Sequence, residues 1–114
     1  MYEYRASLVK VVDGDTVDFL VDLGFHVRVL IRTRLAGINA PELRGESLED
    51  GKRSRDWLEA RLREAGEHIL IATEKTGKYG RWLARIHVGE LGEEECLNDL
   101  MLELGLAEPY GEAR

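Results

Sequence analysis

Val9-Lys10-Val11-Val12-Asp13-Gly14-Asp15-Thr16-Val17-Asp18-Phe19-Leu20-Val21-Asp22-Leu23 is the stretch on which the fold turns. Val9 and Val11 open an apolar segment and Asp13-Gly14-Asp15 interrupts it. Val17, Phe19, Val21 and Leu23 then alternate with Asp18, Leu20 and Asp22. A period of two sends successive side chains to opposite faces, so the stretch reads as strand, tight turn, strand.

Working outward, Asp22-Leu23-Gly24 is a turn candidate. It leads to a third alternation, with Phe25, Val27, Val29 and Ile31 on one face and His26, Arg28, Leu30, Arg32 and Arg34 on the other. The expectation is a three-strand meander in which Arg28, Arg32 and Arg34 form a basic stripe wherever the strand stays regular. Gly37 and Pro41 oppose a continued ladder, so Leu35 to Glu42 reads as a strand end running into an irregular loop. Between Gly51 and Gly66 the rhythm changes. Trp57, Leu58, Arg61, Leu62 and Ala65 recur at helical spacing, and Gly66 is the expected stop. Ile69 to Thr73 is a short apolar run. After a turn from Gly77 to Gly80, Trp82, Ala84, Ile86 and Val88 alternate with Leu83, Arg85 and His87. Leu97, Leu100, Met101 and Leu104 then share a helical face, with Gly105 in the C-cap position. The order is three strands, helix, two strands, helix. It predicts a mainly β, α+β domain: a five-stranded OB-fold barrel with two packed helices, an architecture that often binds oligonucleotides.

Composition agrees with a single unit. The chain has 114 residues, of which 44% are hydrophobic, enough for one core and too few for two, so residues 1–114 are read as one domain. The lone cysteine, Cys96, excludes an intrachain disulfide and is expected as a small buried side chain. Met1 to Val12 shows no basic stretch followed by an apolar core of the secretory kind. No apolar run approaches the roughly 18 residues of a membrane span. The expectation is no membrane association, and a cytoplasmic location if this is the full chain. The net charge of −6 argues at first against a nucleic-acid partner. Its distribution weakens that objection: Met1 to Val88 holds 15 basic and 14 acidic residues, whereas Gly89 to Arg114 holds one basic and eight acidic.

Four motifs in order carry a family resemblance: Val12-Asp13-Gly14-Asp15-Thr16-Val17, Arg34-Leu35-Ala36-Gly37-Ile38-Asn39-Ala40-Pro41-Glu42, Lys78-Tyr79-Gly80-Arg81, and Asn98 with Gly105-Leu106-Ala107. From about Ser7 to Tyr110 the chain resembles the staphylococcal nuclease (thermonuclease) family, which is built on the same barrel order. The family's third helix has no counterpart before Arg114, so the expectation is a minimal version of the domain or a fragment.

The resemblance implies calcium-dependent hydrolysis of phosphodiester bonds in single-stranded DNA or RNA. Such cleavage needs an activated water and neutralisation of charge on the nonbridging oxygens, often with a divalent ion. By resemblance Asp15 is a direct Ca2+ ligand, Asn39 stands where the family normally has aspartate, and Ala40 offers a backbone carbonyl. Read from residue type alone, Asp13-Gly14-Asp15-Thr16 is first of all a turn signal. An asparagine oxygen can coordinate calcium but brings no charge, which implies a weaker site or a different ion preference. Glu42 matches the family's general base or water-orienting group. Arg34 and Arg81 match the pair that grips the scissile phosphate, a task suited to forked donors that stay charged. Lys78, Tyr79 and, more loosely, Tyr110 are candidates for substrate contact.

Other residues read as structural: Asn98 as a buried amide bonded to backbone, Trp57 and Trp82 as core, and the Lys52 to Arg63 basic cluster as a solvated helix face. His26, His68 and His87 lack close metal-ligand spacing. The rival to the enzyme is a catalytically silent nuclease-like module that binds nucleic acid or a protein partner, motivated by Asn39 and the acidic final segment. A plain OB-fold binder without nuclease ancestry is a further alternative. Retention of Arg34, Glu42 and Arg81 together favours the enzyme.

Overall fold

The computed structural model describes residues 2–75 and 81–110. The elements run β1 (Tyr2–Asp13), β2 (Thr16–Asp22), β3 (Arg28–Leu35), β4 (Ile38–Asn39), a short 3-10 turn at Gly45–Ser47, α1 (Leu48–Ala65), β5 (Ile69–Lys75), β6 (Trp82–Val88), β7 (Glu95–Cys96), α2 (Leu97–Glu103) and β8 (Glu108–Pro109). Neighbours in the main sheet follow the order β3-β2-β1-β5-β6-β7. Parallel pairing of β3 with β6, Thr33 opposite Trp82 and Leu35 opposite Ala84, closes five of these strands into a barrel. The fold is the OB type expected from the strand count.

Closure depends on β1. Its first residues pair with β5, Tyr2 to Thr73 through Arg5 to Leu70, and from Ala6 onward it pairs with β2. Register shifts between Leu8 and Lys10 and between Val11 and Asp13 bend the strand, as bulges do, so one strand serves two neighbours. Val17, Phe19 and Val21 of β2 point inward with Leu35, Ile69, Ile71 and Ile86. Leu58 and Leu62 of α1 and Leu97 and Met101 of α2 are buried in the same core. α1 ends where Gly66 takes a φ of 59°. Among the described residues no helix is long and apolar enough to cross a membrane.

Four expectations need correction. The third strand begins at Arg28 rather than Phe25. Phe25 and His26 have φ of 55° and 61° and form the hairpin turn instead, leaving Phe25 exposed. The basic stripe is matched by acid across β2: Arg32 makes two hydrogen bonds to Asp18, and Arg28 stands opposite Asp22. Leu104 is 58% exposed, because α2 stops at Glu103 and leaves it at the cap. Cys96 is only half-buried, its sulfur accepting from Arg85 at 3.2 Å.

Trp57 packs partly buried against the core with the Arg61 guanidinium over its ring. Trp82 is half-buried. The helix cations are paired along α1, Arg53 with Asp50, Arg55 with Asp56 and Arg63 with Glu59. Asn98 takes three backbone bonds: its oxygen accepts from Ile86 N–H, and its nitrogen donates to the Ala36 and Ala84 carbonyls. It thereby fastens α2 to β6 and to the turn after β3.

Candidate active site

The turn between β1 and β2 is shaped by its own side chains. Asp13 Oδ1 accepts the Asp15 N–H at 3.0 Å, the local bond that makes Asp-Gly-Asp a turn former. Gly14 is required by its neighbours: a Cβ there would lie 2.6 Å from Ala40 Cβ and 2.9 Å from Ser54 Cβ. The missing side chain lets the turn wedge between the β4 loop and α1, which sets Asp15 against Ala40.

Asp15 is buried. Its Oδ2 accepts the Ala40 N–H at 2.9 Å, and its Oδ1 accepts the Thr16 hydroxyl at 3.2 Å. The Arg34 guanidinium stands 3.6 Å from Oδ2, both side chains being only 12% exposed. Burial pushes the Asp15 carboxyl above its usual range, helped by the hydrogen bond and charge of Asp13. The Ala40 N–H and the Arg34 charge oppose this without cancelling it.

Arg34, near the end of β3, is fixed by backbone oxygens. Nη1 donates to the Leu35 carbonyl at 3.3 Å and the Ile38 carbonyl at 3.1 Å, and Nη2 donates to Asn39 Oδ1 at 3.0 Å. The Tyr110 ring covers the guanidinium, Cζ lying 4.8 Å from its centroid. Tyr110 is brought there by the β4–β8 pairing, Ile38 opposite Pro109 and Asn39 opposite Glu108, and by its N–H on the Gly37 carbonyl at 3.0 Å.

The structure thus gathers Asp15, Arg34, Asn39, Ala40 and Tyr110 at one place. Glu42 follows on the same loop, but its carboxylate is 70% exposed and accepts from Arg44 at 3.1 Å. Its main-chain carbonyl is held by Ser47 Oγ at 2.8 Å and pressed by Gly51 of α1. Arg81 is exposed immediately before β6, one residue from Trp82, which is in register with Thr33 beside Arg34. Lys78 and Tyr79 lie outside the described residues. Sequence reasoning missed the supports Thr16, Ser54 and Gly51. A glycine at the fourth position of a long helix was the available signal for the last of them.

The donors fit a hard cation in kind. Asp15 Oδ2 and Asn39 Oδ1 converge on one positively charged nitrogen, Arg34 Nη2, at 3.6 Å and 3.0 Å. A buried carboxylate with a second carboxylate beside it gains from added positive charge. Among the described residues no group of three or more His, Cys, Asp or Glu side chains is arranged to hold a metal, so further ligands would come from backbone or solvent.

Comparison with known proteins identifies the family. Residues 32–114 match the family described as staphylococcal nuclease homologue. The chain is 34% identical over 113 residues to Protein ParB of Escherichia coli, covering 95% of this chain and 58% of that protein. It is 31% identical over 114 residues to Micrococcal nuclease of Shigella flexneri, covering 95% and 59%. It is 30% identical over 131 residues to the uncharacterized protein MJ1439 of Methanocaldococcus jannaschii, covering 94% and 59%. The chain therefore spans under two thirds of the length of the curated relatives it matches. With its closed barrel and its helices in the expected order, the chain belongs to the staphylococcal nuclease homologue family.

Proposed function

We propose that this domain is a calcium-dependent phosphodiesterase that cleaves single-stranded DNA or RNA. The observation that carries the reading is the convergence of the buried Asp15 carboxylate and the Asn39 amide oxygen on the Arg34 guanidinium. A cation-binding pair of oxygens and a phosphate-binding fork then share one site. Asp15, Asn39 and the Ala40 carbonyl would hold the ion. When bound, the ion supplies charge neutralisation and polarisation of a phosphoryl oxygen.

The chain's own groups do the rest. Arg34 presents forked donors whose orientation is set by the Leu35 and Ile38 carbonyls, so little freedom is lost when a phosphate arrives. Tyr110 lies over one face of the guanidinium and limits approach to the open side. Arg81 would supply the second charge on the phosphate. Glu42, exposed and two residues past Ala40, would exchange its Arg44 contact for the attacking water and take up its proton.

Extended single strands suit an OB barrel better than duplex because their phosphates and bases are reached together. The observation favouring the rival, a silent binding module, is the pairing of Glu42 with Arg44, which occupies the candidate base. Cleavage of labelled single-stranded DNA and RNA across a calcium titration separates the two, with a chelator control and an Arg81→Ala protein alongside. Calcium-dependent cleavage lost in the variant supports the enzyme. Binding without cleavage at any calcium level supports the module.

A further inference from the structure

The β2–β3 hairpin carries two features that phosphodiester cleavage does not use. Its tip closes with the Val27 N–H on the Gly24 carbonyl at 2.8 Å and the Leu23 N–H on the Val27 carbonyl at 2.9 Å. The two central residues, Phe25 and His26, both take left-handed backbone, with φ of 55° and 61°. Hairpin turns with positive φ at both centres strongly prefer Asn-Gly, because a Cβ is strained there. Here a phenylalanine occupies the strained position and is 96% exposed. The turn does not need Phe25, and the fold does not cover it.

Beside the hairpin, the end of the barrel opens into an apolar cavity of about 530 Å³. Val21 and Ile71 are buried at its floor, Tyr4, Val29 and Trp82 contribute to its wall, and the exposed Glu74 also lines it. Knob and hole therefore sit on the same end of one molecule.

We propose that this end is a self-association surface: Phe25 of one copy enters the barrel mouth of a second copy, reciprocally, in a two-fold dimer. A two-fold contact requires one surface to be complementary to itself, which a knob adjoining its own hole provides. Charge agrees. The hairpin brings exposed His26 and Arg28 to a mouth that presents Glu74, so reciprocal docking sets opposite signs together. Tyr2, Leu23, Val27 and Val29, 36 to 70% exposed, surround the contact and supply the water-excluding centre. Stable contacts, at roughly 800 Å² per partner, are built around such a centre. Arg34 lies six residues along β3 from Arg28, roughly 20 Å at strand rise, whereas Trp82 at the mouth adjoins Arg81, so the hairpin end is remote from Arg34 while the docked copy comes close to Arg81.

Sedimentation velocity from micromolar to millimolar protein tests this, comparing wild type with a Phe25→Asn, His26→Gly double variant. The substitutions install the pair the turn prefers, so the variant should unfold at the same temperature as wild type or higher. The expected result is a concentration-dependent dimer for wild type and a monomer for the variant. A wild type that stays monomeric throughout overturns the proposal, even if an apolar dye fills the mouth. So does a double variant that dimerises as wild type does.

Discussion

Helix propensity and packing give opposite signs at Gly51, which makes Gly51→Ala informative. Gly51 is the fourth residue of α1, and an alanine in a helix interior is favoured over glycine by about 1 kcal/mol. Read from propensity, the substitution stabilises. The added Cβ, however, would lie 2.6 Å from the Glu42 carbonyl oxygen, 2.9 Å from its carbon and 3.0 Å from Leu43 Cδ2. Nonbonded carbons settle at about 3.5–4.0 Å, so helix or loop must retreat by about 0.5–1 Å. The Leu43 side chain can turn away. The Glu42 main chain cannot retreat freely, because Ser47 Oγ also holds its carbonyl. Overpacking of this kind costs about 1–3 kcal/mol, which exceeds the propensity gain by about 1 kcal/mol on average. Near the size of this domain that is a fall of roughly 4 °C in Tm. The displaced segment carries Glu42, and misplacement by about 1 Å can cost on the order of 100-fold in rate. Thermal unfolding and single-strand cleavage on the same preparations measure both. A raised Tm with unchanged turnover would refute the claim that Gly51 exists for close approach of α1 to the Glu42 loop.

Arg34→Lys should lower turnover by roughly 100-fold or more, since an ammonium cannot span the Leu35, Ile38 and Asn39 oxygens while offering a fork to phosphate; steady-state kinetics would show it. Asn39→Asp should lower the calcium concentration that half-saturates activity by adding charge beside Asp15; a calcium titration of turnover reads this directly, and no shift would remove Asn39 from the ion's surroundings. Asn98→Ala leaves the Ile86 N–H and the Ala36 carbonyl without their side-chain partner, whereas the Ala84 carbonyl keeps the Ala36 N–H. The expected loss is about 2–4 kcal/mol, read as a lower denaturant midpoint. The Arg32 hydrogen bond holds the Asp18 carboxyl below its ordinary 3.8. A depressed carboxyl stabilises the fold above its unfolded-state pKa and loses that contribution as pH falls through the folded value. Wild type should therefore lose stability relative to Asp18→Asn as acid unfolding is followed below about pH 4.

Much of the barrel was legible because its signals are local. The alternation around Asp13-Gly14-Asp15 marks two strands and their turn, Gly66 marks the end of α1, and the Leu97 and Met101 spacing marks the buried face of α2. Phe25 shows the limit of that logic. Its place in an alternating run argued for a strand, yet Gly24 and the backbone bonds of the tip made it a turn residue. Periodicity reports which side chains share a face, and it does not report where a ladder begins. The site divides in the same way. Positions 15, 34, 39 and 42 drew attention through the ordered motifs and the resemblance they carry, because Asp13-Gly14-Asp15 read from residue type alone is a turn signal.

What the sequence by itself determined is the element order and the apolar faces, since these follow from period and turn residues, while the candidate chemistry was an expectation carried by the motif resemblance. What only the tertiary structure decided is the partnership of distant groups. Ala40 satisfies Asp15 across 25 positions, β8 brings Tyr110 over Arg34, Asp18 neutralises Arg32, and Glu42 turns to Arg44. The physical reason is closure. Once β3 pairs with β6, and Gly14 and Gly51 let α1 press against the loops, each charged group meets neighbours set by the barrel's geometry, which no local window of sequence contains.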